Sequence, residues 1–154
     1  MILKGVIFED IVNYKLTSMT LEFPKCDTFK CGRSVCQNST LTHASYIYIS
    51  AQTLVNRYLK NYITHAVVFQ GLEPLDSWED VKDFVQKFRE KTNDDIVIYT
   101  GYNKCEISDK VRWLQSYKNI IIKYGRYIPD QKPHYDGVLG VELASDNQYA
   151  EKIS

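Results

Sequence analysis

Three cysteines, Cys26, Cys31 and Cys36, fall within eleven residues as KCDTFKCGRSVC, and the fourth, Cys105, stands far away. Thiolates are nucleophiles and soft metal ligands. In a reducing compartment, where structural disulfides are rare, such a cluster points to a metal, an iron–sulfur cluster or redox work. Zinc sites usually draw four ligands from paired short spacings such as C-x2-C. Here the spacing is C-x4-C-x4-C with no second pair, so Cys105 or His43 would have to complete a zinc site. Three thiolates are also the set an iron–sulfur cluster uses when one iron stays open to a ligand, the logic that leaves a catalytic zinc one vacant position. Spacing alone leaves an open cluster, zinc and unliganded thiols as alternatives.

Such residues need a scaffold to converge. Val6-Ile7-Phe8, Ala66-Val67-Val68-Phe69, Ile96-Val97-Ile98-Tyr99 and Ile120-Ile121-Ile122 are apolar on consecutive residues, the pattern of strands covered on both faces of a parallel sheet. Thr20-Leu21-Glu22-Phe23 reads as a weaker, alternating strand before Pro24. Helical periods lie between the runs. Leu54, Val55, Tyr58, Leu59 and Tyr62 follow Ser50; Trp78, Val81, Phe84, Val85 and Phe88 follow a Ser77/Asp80 capping pair; Val111 and Leu114 follow Ser108. Strand–helix–strand alternation is the grammar of βαβ units, whose ligands bind beyond the C-terminal ends of the strands. Gln70–Pro74, Thr100–Tyr102 and Lys123–Arg126 fall at those ends, and the cysteine segment follows the strand ending near Phe23. Thiols, glycines and polar groups are therefore predicted to meet on one rim. Lys123 and Arg126 read either as carboxylate contacts or as solvated charge. Tyr127–Gly140 reads as a loop before a final strand, Val138–Leu143, and no linker interrupts the chain, so residues 1–154 are read as one domain.

The chain has 154 residues, 44% hydrophobic and 25% charged, with Lys+Arg 19 against Asp+Glu 19. Zero formal charge removes the simplest case for a nucleic-acid or anionic-membrane partner. No apolar run approaches the ~20 residues of a membrane span. MILKGVIFED has neither a long apolar stretch nor a small-residue cleavage site, so a cytoplasmic location is expected.

The ordered set of motifs is more specific than any one of them. It runs Asp10-Ile11-Val12-Asn13, Thr20-Leu21, three cysteines ending in Cys36-Gln37-Asn38-Ser39-Thr40, Phe69-Gln70-Gly71-Leu72-Glu73-Pro74-Leu75, Tyr99-Thr100-Gly101-Tyr102 and Ser145-Asp146-Asn147-Gln148. This order resembles the activating proteins of anaerobic ribonucleotide reductase, small radical S-adenosylmethionine (SAM) oxidoreductases, from about Asp10 to Gln148. The resemblance implies an α/β fold, an incomplete (β/α) barrel of mostly parallel strands. It implies that Cys26, Cys31 and Cys36 hold a 4Fe–4S cluster whose fourth iron binds the amino and carboxylate groups of SAM. Cleavage of the sulfonium would leave a 5′-deoxyadenosyl radical that takes hydrogen from a glycine of the reductase large subunit. Asn38, Gly71, Glu73, Thr100, Ser145 and Asn147, with Gln148, would face SAM, Glu73 meeting its ammonium. Implied partners are the reductase large subunit and a low-potential electron donor such as flavodoxin; a homodimer stays open. The chain departs from that family in cysteine spacing, usually C-x3-C-x2-C, in Val35 for an aromatic residue, in Leu72 for a second glycine, and in Tyr14-Lys15-Leu16 for a Gly-Pro-Gly-rich segment. Rival functions are a non-catalytic zinc-binding interaction module and a radical SAM enzyme acting on a small molecule. The short chain leaves little sequence for the pocket the latter needs.

Overall fold

Valine and isoleucine runs set their strands side by side in the middle of one sheet. The computed structural model describes residues 1–27 and 35–154. In chain order, β1 (Ile2–Leu3), β2 (Gly5–Asp10), β3 (Ser18–Phe23) and β4 (Ile47–Tyr48) precede helix α1 (Ala51–Leu59). Then come β5 (Ala66–Gly71), α2 (Trp78–Arg89), β6 (Asp95–Tyr99), α3 (Ser108–Leu114) and β7 (Ile120–Tyr124). The strands β8 (His134–Asp136), β9 (Val141–Leu143) and β10 (Tyr149–Lys152) follow. Six of these strands form a sheet in the order β10-β7-β6-β5-β3-β2. Its centre is parallel, from β3 through β5 and β6 to β7. β2 and β10 join antiparallel at the two edges.

The expected incomplete (β/α) barrel of mostly parallel strands is therefore corrected to an open mixed sheet, with six strands and three α-helices among the described residues. Barrel closure needs tilted strands continuing in one staggered register until the last meets the first. Here an antiparallel strand ends the parallel progression on each side, and β2 and β10 do not meet.

Position in the sheet also decides which strands are buried. Val6-Ile7-Phe8 was expected to be covered, but it lies on the edge strand β2, where Ile7 is 42% and Phe8 38% exposed. The weaker-looking β3 has a neighbour on either side and buries Met19, Leu21 and Phe23. Alternate residues of the central strands face two separate cores. Val67, Phe69, Ile96, Ile98, Ile120 and Ile122 pack with the apolar stripes of α1, α2 and α3. Ala66, Val68, Val97 and Ile121 pack on the other face with Tyr14, Leu139 and Leu143. A two-faced core is why these strands read as continuous apolar runs.

The helix starts agree in part. Ser50 caps α1, its hydroxyl accepting the Thr53 N–H at 3.0 Å. The expected Ser77/Asp80 box does not form. Ser77 Oγ is buried with no hydrogen-bond partner among the described residues, and Asp80 accepts the Ile2 N–H at 3.1 Å. Instead a 3-10 turn over Pro74–Ser77 leads into α2, and Glu73 caps that turn by accepting the Leu75 N–H at 3.0 Å. The C-terminal strand expected at Val138–Leu143 is shorter: β9 pairs with β8 as a hairpin, and β10 returns to β7. No helix among the described residues is long and apolar enough to cross a membrane.

Candidate functional site

Parallel strands bring their C-terminal ends to one side. Register pairs Phe23 with Gly71 and Tyr99 with Lys123. Beyond these ends lies a cavity of about 290 Å³, and its wall includes Cys26, Cys36, Asn38, Gly71, Glu73 and Thr100. The rim expected from strand-end chemistry is thus assembled from the loops after β3, β5 and β6.

Cys26 and Cys36 are half-buried thiols on that wall. Cys31 belongs to residues 28–34, outside the described residues. Among the described residues no group of three His, Cys, Asp or Glu side chains converges as a metal site. The two described thiols nonetheless come from opposite ends of the cysteine segment, and backbone and amide bonds tie both ends to the turn after β5. The Glu73 N–H donates to Lys25 O at 2.7 Å and the Leu72 N–H to Phe23 O at 3.1 Å. Asn38 Nδ2 donates to Gly71 O at 2.7 Å. Soft thiol donors on one wall, with the third cysteine in the segment between them, fit an iron–sulfur cluster.

Gly71 is required by sterics at this crossing. Its φ is +106°, and a Cβ there would lie 2.5 Å from Phe23 N and 2.8 Å from Phe23 O. That tight approach of β5 to β3 lets Glu73 turn inward. Glu73 is fully buried, yet its carboxylate accepts from the Leu75 N–H at 3.0 Å, the Thr100 hydroxyl at 2.9 Å and the Gly101 N–H at 2.9 Å. Burial pushes this carboxyl up to about 7; the hydrogen bonds oppose the shift, and the charge of Asp76 adds to it. Lys123, only 7% exposed, shares the wall and donates to Gly125 O at 2.9 Å. Burial pushes its ammonium down to about 8, opposed by the field of Glu73. One cavity wall therefore carries a buried acid and a buried base.

Two expected residues stand behind the wall. Ser145 Oγ accepts the Ile128 N–H at 3.3 Å, and Asn147 Nδ2 donates to Arg126 O at 2.9 Å. Gln148 does reach the cavity. Its Nε2 donates to Gly125 O at 3.2 Å, and its Oε1 accepts the N–H groups of Ala144 and Ser145, each at 3.2 Å. Lys123 is the functional candidate that sequence reasoning underweighted by treating solvated charge as its equal reading. A signal was present: Lys123 follows Ile120-Ile121-Ile122 and precedes Tyr124, in a strand where every residue is buried. A cation there needs a partner or a task. Arg126 is exposed and pairs with Glu106 at 3.0 Å.

A family model described as a 4Fe-4S single cluster domain matches residues 18–145. No curated protein and no solved structure matches the chain. The matched stretch holds all four cysteines, the parallel strands and most of the cavity wall. It supports a 4Fe–4S cluster as the chain's metal group. The chain belongs to the 4Fe-4S single cluster domain family.

Proposed function

We propose that the chain is a radical SAM activase. In this reading Cys26, Cys31 and Cys36 hold the 4Fe–4S cluster, SAM occupies the cavity, and the target is a glycine of the anaerobic ribonucleotide reductase large subunit. The observation that carries it is a single cavity whose wall joins Cys26 and Cys36 to the buried Glu73 carboxyl and the buried Lys123 ammonium. The ordered motifs from Asp10 to Gln148 support it further. Held by Cys26, Cys31 and Cys36, the cluster would supply one electron, drawn from a low-potential donor such as flavodoxin, for reductive cleavage of the sulfonium.

The side chains have defined tasks. A carboxylate offers about four acceptor directions. Glu73 directs three of them to Leu75, Thr100 and Gly101 and keeps the rest for an N–H of the SAM amino group, a bond strengthened by the carboxylate's charge. Lys123 spends one donor on Gly125 O and has others for the SAM carboxylate. Together they suit the amino and carboxylate groups at the amino-acid end of SAM. Thr100 orients Glu73, donating to it while accepting the Tyr102 N–H at 3.1 Å. Tyr99 and the buried Leu143 form apolar wall beside these groups, and limited water there would strengthen the charge contacts. Asn38 locks the segment after Cys36 to the Gly71 carbonyl. Ser145 and Asn147 act one layer out, holding the 126–128 backbone that borders the cavity.

The test is anaerobic reconstitution with iron and sulfide, reduction and addition of SAM. The expected products are 5′-deoxyadenosine and, once the reductase large subunit is added, a glycyl-radical signal in electron paramagnetic resonance. Loaded, reduced protein that forms no 5′-deoxyadenosine overturns the SAM reading. SAM turnover without a glycyl radical overturns the activase assignment and favours a small-molecule substrate.

A further inference from the structure

Cys26 is flanked by two anchored peptide groups. On one side Lys25 O accepts the Glu73 N–H at 2.7 Å. On the other, the Asp27 N–H donates to Asp76 Oδ2 at 2.7 Å. The second oxygen of Asp76 accepts the Tyr102 hydroxyl at 2.7 Å. One carboxylate therefore ties the peptide next to the first thiol both to the turn after β5 and to the segment after β6. Asp76 lies in the 3-10 turn Pro74–Ser77, two residues past the Gly71–Pro74 segment. Lys110 braces the same turn, donating to Leu75 O at 2.6 Å with its ammonium 5.7 Å from the Tyr102 ring centroid.

We infer that Asp76, held by Tyr102, is a positioning residue for the cluster: it fixes the Cys26 end of the cysteine segment and sets the potential at which the cluster is reduced. The inference rests on the reading that Cys26 is a cluster ligand. Two physical effects carry it. Groups that orient a ligand reduce what ligation must order, and their loss typically costs ~10–100-fold in metal affinity. A fixed negative charge one peptide group from a ligand opposes addition of an electron, so it holds the reduction potential down.

Three variants separate the effects. Asp76→Asn retains both of these bonds, because its Oδ1 can accept the Asp27 N–H while its Nδ2 donates to the Tyr102 oxygen, and it removes the charge. It is expected to load a full cluster and to shift the reduction potential positive, a change that a purely structural role would not produce. Asp76→Ala removes both bonds and is expected to lose its cluster to a chelator at least ~10-fold faster than the parent chain. Tyr102→Phe should accelerate cluster loss to a smaller extent. Melts of the iron-free variants by circular dichroism check that each still folds. An unmoved potential in Asp76→Asn overturns the electrostatic role, and cluster loss at the parent rate from folded Asp76→Ala overturns the anchoring role. A Cys26→Ala chain that still carries its full iron overturns the ligand assignment instead, so the two failures are distinguishable.

Discussion

Replacing Glu73 with glutamine should change how stability depends on pH. Burial raises this carboxyl from 4.5 to about 7 in the folded chain. At ~1.4 kcal/mol per unit, the shift corresponds to about 3 kcal/mol. Because the folded value is the higher one, the folded chain holds the proton more tightly than the unfolded chain. The contribution is fully present below the ordinary glutamate range and is lost as pH rises through about 7. Glu73→Gln has no such proton and no such loss. It carries a different cost, since an amide N–H now faces the Gly101 N–H, a penalty of about 1–3 kcal/mol at every pH. Urea unfolding of both chains, iron-free and under reducing conditions, should show the parent ahead near about pH 5. Its lead should shrink by about 2.5 kcal/mol by about pH 8. A difference that stays flat, or a parent that gains on the variant as pH rises, refutes the reasoning.

Gly71→Ala should cost at least about 2 kcal/mol in a thermal melt, because a side chain at φ +106° strains the backbone and meets Phe23 N at 2.5 Å. Phe84→Ala should cost about 3–5 kcal/mol by denaturant titration, since it empties the layer between Phe69 and Phe88, whose ring centroids lie 5.3 Å and 5.5 Å from its own. Lys123→Met relieves a buried cation. It should melt no lower than the parent at neutral pH while weakening SAM binding about tenfold or more by equilibrium dialysis of loaded protein. Parent-like SAM affinity would remove Lys123 from the binding site.

Local signals carried much of the layout and little of the global closure. The central runs at Ala66–Phe69, Ile96–Tyr99 and Ile120–Ile122 were legible as strands because both their faces are covered. The stripe over Val81, Phe84, Val85 and Phe88 was legible as a helix because its period matches the buried face. Edge and centre were not legible. Nothing in Val6-Ile7-Phe8 reveals that β2 has a neighbour on one side only, since that depends on where β3 inserts. The antiparallel return of β10 to β7 is a long-range pairing that ends the sheet, and Tyr149–Lys152 shows no apolar run to announce it. At the site, motif order pointed to the Gly71–Glu73 turn and Asn38. It did not show that Glu73 has three internal donors, or that Asp76 and Tyr102 brace the cysteine segment, because those contacts join residues far apart in the chain.

Iron and acid-labile sulfide per chain after anaerobic reconstitution, for the parent and for each cysteine variant, test the cluster assignment most directly. The parent should take up about four iron and about four sulfide. Cys26→Ala, Cys31→Ala and Cys36→Ala should each lose most of that content, while Cys105→Ser keeps it. A parent that binds zinc and no iron, or iron content that falls only when Cys105 is replaced, would contradict a cluster held by the three clustered thiolates.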